Sequence, residues 1–101
     1  MSESTVIHAA ELGQRLLQRH WMLGCAESCT GGLLSAAVTD IPGASQWFDR
    51  GFVTYSNAAK IEQLRVGQDT LERFGAVSEE TAMEMAAGVL SVSRNAGFAI
   101  S

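Results

Sequence analysis

Apolar or small side chains recur at Ala9, Leu12, Gly13, Leu16, Leu17 and His20, with Glu11, Gln14, Arg15, Gln18 and Arg19 between them. That spacing predicts an amphipathic helix over 6–20, capped by Ser4 or Thr5. The pattern then changes. Trp21-Met22-Leu23-Gly24-Cys25 is a short unbroken apolar run that fits a buried strand, and Leu33-Leu34-Ser35-Ala36-Ala37-Val38 is an alanine-rich run that fits a buried helix. Between them lies Ala26-Glu27-Ser28-Cys29-Thr30-Gly31-Gly32, a small and polar cluster where a strand turns sharply into a helix. Asp40-Ile41-Pro42-Gly43 ends that helix, since proline fixes φ and glycine is free to take positive φ. Ala44 to Asp49 reads as a short irregular or helical piece whose adjacent aromatics, Trp47 and Phe48, suit a lid on the core.

Gly51-Phe52-Val53-Thr54-Tyr55 is rich in β-branched and aromatic residues and predicts a second strand over 51–55. Ser56-Asn57 breaks it, with Asn57 as a turn residue capping a short helix over 58–64. Gly67 ends that helix. Asp69-Thr70-Leu71-Glu72 has the form of a capping box and opens another short helix, which runs to Phe74 and is closed by Gly75. Ser78 caps a longer helix with Glu79 and Glu80 in its first turn, where carboxylates suit the dipole. Ala82, Met85, Ala86, Val89 and Leu90 form its buried stripe. Asn95-Ala96-Gly97 terminates it. Phe98-Ala99-Ile100 begins a third strand, apolar at each position and therefore expected inside the sheet. This alternation predicts the α/β class: a single domain over 1–101, layered α/β/α around a small central sheet. Open α/β sheets bind ligands where strands end and helices begin. Two such ends, 26–32 and 55–60, are expected to line one site.

Charge and cysteine usage narrow the function classes. The net charge is −4 with no basic patch, which argues against nucleic acid as the main partner. A compact anionic ligand stays open, because helix N-termini and one or two cations hold it. No run of about eighteen apolar residues exists to span a membrane. The N-terminus, Met1-Ser2-Glu3-Ser4-Thr5, lacks the basic start and apolar core of a signal peptide, so a cytoplasmic location is expected. Cys25 and Cys29 on an extended strand have Cα atoms about 13 Å apart, too far for a disulfide. Without nearby His or Asp they also make a poor zinc site, and buried free thiols in a reducing compartment are expected. His8 and His20 belong to the first helix as surface or partly packed residues, which leaves no histidine base.

The remaining candidates point to nucleophilic chemistry. Ser28 offers a hydroxyl, weak as a nucleophile until a base takes its proton. Lys60 is the nitrogen base at hand, expected in the first turn of a short helix where the dipole disfavours its charge. A lysine titrating near ~10.4 serves as a base only if burial or a nearby cation lowers that value. Tyr55 is a candidate proton relay, and Ser–Lys pairing is a known catalytic arrangement. Backbone N–H groups near Thr30, Gly31 and Gly32 suit either an oxyanion hole or a phosphate. Each residue also has a plainer reading: Ser28 or Thr30 as a helix cap, Lys60 as a solvated lysine, Tyr55 as a strand aromatic, Asn57 as a turn residue.

Glu27-Ser28-Cys29-Thr30-Gly31-Gly32 resembles the signature of the CinA C-terminal domain, the nicotinamide-nucleotide amidohydrolase family. The resemblance continues in Gly51-Phe52-Val53-Thr54-Tyr55-Ser56-Asn57-Ala58-Ala59-Lys60 and in Gly75-Ala76-Val77-Ser78-Glu79, and runs from about Leu16 to the last residue. Three blocks in one order are far more specific than any one. The resemblance implies hydrolysis of the carboxamide of nicotinamide mononucleotide to the nicotinate nucleotide and ammonia, within pyridine nucleotide recycling in bacteria. It implies a serine nucleophile at Ser28 assisted by Tyr55 and Lys60, with Thr30, Gly31, Gly32 and Asn57 at the substrate. It implies a small-molecule nucleotide substrate and neither metal nor cofactor. Family members continue past the third strand into a Gly-Ile-Ala-Gly-Pro type of turn, further strands and a last helix. This sequence stops at Ser101, so a fragment or truncation is expected, with open sheet edges, self-association into a homo-oligomer and weak or absent activity at this length. Two other classes stay open: a nucleotide-binding module without hydrolysis, and a scaffold that kept only the fold.

Overall fold

Met22–Glu27 forms the central strand, β1, of a three-stranded parallel sheet in the computed structural model, which describes residues 1–101. Its last five residues are all buried, as a strand covered on both faces requires. Phe48–Val53 (β2) pairs on one side of β1 and Ala96–Ile100 (β3) on the other. Helices Glu3–Arg19 (α1) and Leu33–Thr39 (α2) cover one face. Asn57–Leu64 (α3), Gln68–Phe74 (α4) and Glu79–Val92 (α5) form the other layer, with α5 lying on β1 and β3. This is the expected α/β/α layering.

The two faces of β1 feed two cores. Leu23 and Cys25 pack with Leu16, Val38, Ala44 and Trp47; Ala26 packs with Leu64, Val66, Leu71, Met85 and Val89. Trp47 is a core residue, as its position beside Phe48 suggested. A Cβ at Gly88 would collide with the backbone carbonyl of Leu64, so glycine sets how closely α5 approaches α3. No helix is long and apolar enough to cross a membrane.

Several local expectations are corrected. The second strand begins at Phe48 and ends at Val53, so Tyr55 lies in the loop beyond it. Ser2 caps α1, in place of Ser4 or Thr5. Ser56 caps α3 by accepting from the Ala59 N–H, and Asn57 is the first helical residue. The box at Asp69–Glu72 does not form. Gly67 holds the N-cap position of α4, and Glu84 of α5 accepts from the Gly67 N–H and the Thr70 hydroxyl. Those two donors hold the Glu84 carboxyl below its ordinary range, against the opposing effect of burial. The buried residues of α5 are Thr81, Met85, Gly88 and Val89, and Leu90 is exposed. Cys25 is buried, but Cys29 is exposed. β3 pairs with β1 alone and so stands at one margin of the three strands.

Candidate active site

The register of β1 on β2 builds the site. Glu27 faces Val53, and the Thr54 N–H donates to the Glu27 carbonyl at 2.8 Å. One residue further, the chain turns into the loop of Ser28 on one strand and the loop of Tyr55 on the other. The two loops therefore emerge side by side at the carboxyl ends of parallel strands, where α/β sheets place their ligands.

Glu27 shapes the first loop. Its Oε1 accepts from Thr30 Oγ1 (2.7 Å), the Gly32 N–H (3.2 Å) and the Leu34 N–H (2.8 Å). Its Oε2 accepts from the Ser35 N–H (2.9 Å) and Ser35 Oγ (2.8 Å). The carboxylate thus caps α2, whose own cap position, Gly32, has no side chain to do so. Gly31 and Gly32 turn the chain at φ of 61° and 116°, left-handed values that favour glycine. A Cβ at Gly51 would collide with Ser35 Oγ, so glycine there leaves room for the hydroxyl on Glu27. Burial pushes the Glu27 carboxyl up, but the hydrogen bonds from Thr30, Ser35 and Leu34 outweigh it and hold the group at about 2. Glu27 is therefore a fixed negative charge one residue before Ser28. The same charge, after burial, pushes the Cys25 thiol up to about 12, which leaves it inert as a thiolate nucleophile.

Lys60, the only lysine in the chain, comes from the fourth residue of α3 and is 1% exposed. It is not the solvated lysine of the plainer reading. Its Nζ donates to the Tyr55 carbonyl at 2.8 Å and to Ser28 Oγ at 3.1 Å. The three ion pairs of the chain lie elsewhere, so no carboxylate pairs with it. Buried lysines are rare, and one without a counter-ion beside a hydroxyl marks a candidate catalytic pair. Ser28 Oγ also reaches the Tyr55 carbonyl, at 3.4 Å.

The structure brings Ser28, Lys60 and the Tyr55 backbone together and arranges the other candidates differently. The Tyr55 phenol is 73% exposed and makes no hydrogen bond; its carbonyl is the group that touches Lys60. The Thr30 hydroxyl is spent on Glu27. The Gly31 N–H donates to the Ser28 carbonyl and the Gly32 N–H to Glu27, so neither glycine is free for an oxyanion or a phosphate. The uncommitted N–H groups belong to Ser28, Cys29 and Thr30. Neither Ser28 nor Thr30 caps α2. Asn57 is exposed, with no side-chain hydrogen bond. Glu27 has the role that the sequence did not suggest; its signal was a carboxylate closing an apolar strand four residues before a glycine pair. No group of three His, Cys, Asp or Glu side chains converges as a metal-ligand set.

Beside Ser28 opens a cavity of about 380 Å³, within the size range of small-molecule sites. Glu27, Ser28, Cys29 and Thr30 form one side, and Ala76, Val77 and Ser78 at the start of α5 form the other.

The family profile described as the CinA C-terminal domain matches residues 6–101. The chain belongs to the CinA C-terminal domain family. This CinA domain is 61% identical over 82 residues to the nicotinamide-nucleotide amidohydrolase PncC of Enterobacter agglomerans, covering 81% of the chain and 50% of that protein. It is 47% identical over 102 residues to the PncC of Escherichia coli K12, covering the whole chain and 61% of that protein. The crystal structure of the competence/damage inducible protein CihA from Agrobacterium tumefaciens superposes with a TM-score of 0.93 at 46% identity, over 98% of this chain and 59% of that one. The CinA domain described here thus spans 50% to 61% of the length of these relatives.

Proposed function

We propose that this CinA domain hydrolyses the carboxamide of nicotinamide mononucleotide, giving ammonia and the nicotinate nucleotide, with Ser28 as nucleophile and Lys60 as its base. The observation that carries the proposal is the contact of Lys60 Nζ, buried and without a counter-ion, with Ser28 Oγ at 3.1 Å. The substrate class follows from the relatives, which are named as nicotinamide-nucleotide amidohydrolases.

Acting as the base, Nζ keeps its hydrogen bond to the Tyr55 carbonyl and takes up the proton of the Ser28 hydroxyl. Oγ attacks the carboxamide carbon while its proton passes to Nζ. The carbonyl oxygen becomes an oxyanion, met by the free N–H groups of the 28–30 loop in place of the glycine N–H groups. Collapse breaks the C–N bond, and the amide nitrogen leaves as ammonia with the proton held by Lys60. A water molecule then gives its proton to Lys60 and attacks the ester. The carboxylic acid leaves, and the proton returns to Ser28. The Tyr55 phenol and the Asn57 side chain are exposed and uncommitted, and so are free to contact the nucleotide.

The test is ammonia release from nicotinamide mononucleotide by the intact protein and by Ser28→Ala. The variant should keep the fold and lose roughly 10⁴-fold in kcat, as other catalytic serines do. Turnover in Ser28→Ala near that of the parent overturns the assignment. Thermal stabilisation by the nucleotide without any ammonia release would favour a binding module.

A further inference from the structure

The carboxamide of a nicotinamide nucleotide is bonded directly to its ring. A carbon within attack distance of Ser28 Oγ, about 3 Å, therefore places the ring in the cavity beside Ser28. The far wall of that cavity has a distinct chemistry. Ala76, Val77, Ala82 and Met85 line it, and Val77 is 86% exposed, an aliphatic side chain held in water next to a polar loop. The wall offers little to a phosphate. Two of the first N–H groups of α5, those of Thr81 and Ala82, already donate to the Ser78 side chain and carbonyl. Glu79 and Glu80 put negative charge in the first turn of α5, outside the lining itself, and Glu27 lines the opposite side of the cavity. Apolar contact beside negative charge suits a planar ring that carries a positive charge, as a pyridinium does.

We infer that the wall of Ala76, Val77, Ala82 and Met85 receives the pyridinium ring of the substrate, with the ribose phosphate directed out of the cavity, and that Val77 is a specificity-determining residue. The inference rests on the amidohydrolase reading for its substrate, but the readout is separate from activity. Methyl NMR of the intact protein, titrated with nicotinamide mononucleotide, should show ring-current shifts at the Val77 γ-methyls and the Met85 ε-methyl. Ribose 5-phosphate, which lacks the ring, should leave both in place. Val77→Ser, at a position too exposed to endanger folding, should raise KM about fivefold with kcat changed less than twofold, because it removes apolar contact present in both ground and transition states. Ammonia release with no methyl shift at saturation overturns the wall and spares the proposed reaction. Methyl shifts without ammonia release keep the wall and overturn the reaction. Equal shifts from ribose 5-phosphate would mean that the wall takes the phosphate end, and the inference fails.

Discussion

Glu27→Gln is the perturbation that best separates the scaffold of the site from its chemistry. Glutamine keeps the shape and length of the side chain, so packing around the end of β1 is preserved. It replaces one acceptor oxygen with an NH₂ group, and five donors now compete for one carbonyl. If the carbonyl keeps the Oε1 position, the NH₂ points at the Ser35 N–H, donor against donor, and the Ser35 hydroxyl must turn to accept from it. Two hydrogen bonds to a charged acceptor are lost, and the helix loses the negative charge at its N-terminus. A partly buried donor left unpaired costs about 1–3 kcal/mol, and the dipole interaction about 0.5–1 kcal/mol. The expected loss is about 3 kcal/mol, read as a shifted midpoint in urea unfolding with the slope unchanged. The acid limb gives a second reading. The folded-state carboxyl at about 2 lies below its ordinary 4.5, so its contribution is complete above 4.5 and is lost as pH falls toward 2. That difference corresponds to about 3 kcal/mol at most, reduced by solvent screening near exposed Thr30. The parent should therefore lose stability between pH 4.5 and 2 more steeply than Glu27→Gln. A loss below about 1 kcal/mol at neutral pH, with parallel acid limbs, would refute the role given to Glu27.

Other predictions follow from the same geometry. Lys60→Arg keeps a positive charge but supplies no base near neutral pH, so it should be as damaging as Lys60→Ala, each lowering kcat by roughly 10³-fold; an arginine variant with most of the parent activity would reduce Lys60 to an electrostatic role. Gly88→Ala drives a methyl group into the Leu64 carbonyl and should destabilise by about 2–3 kcal/mol in chemical denaturation; a neutral result would mean that α3 and α5 part freely. A thiol reagent should titrate one cysteine in the native protein, Cys29, and two after denaturation, because Cys25 is buried and its thiol is held protonated; two fast-reacting thiols in the native state would contradict the packing of β1.

The central strand was legible because it is buried on both faces and reads as one apolar run. The two loops of the site were legible as polar breaks after strands. β2 was placed three residues late at its start because an outer strand carries Asp49, Arg50 and Gly51 without an apolar alternation, while its β-branched signature belongs to its far end. Tyr55 was expected to act through its phenol, but the contact with Lys60 runs through its carbonyl, and every residue type has one. The caps of α2 and α4 come from Glu27 and Glu84, carboxylates five to seventeen residues from the N–H groups they hold, beyond the reach of any local capping pattern. Lys60 was named as a base from its chemistry. Its burial, which distinguishes it from a surface lysine, comes with tertiary contacts of its amine to the loops of Ser28 and Tyr55, which no local pattern encodes.

Rapid-quench mass spectrometry of the protein mixed with nicotinamide mononucleotide tests the Ser28–Lys60 pair most directly. Two nucleophilic side chains stand next to each other at the cavity, the hydroxyl of Ser28 and the exposed thiol of Cys29, and only the first is in contact with Lys60. The prediction is a transient acyl ester on the peptide containing Ser28, located at Ser28 by fragmentation, formed as ammonia is released and absent from Lys60→Ala. An acyl group on Cys29, or full ammonia release by Ser28→Ala with neither residue modified, would contradict it.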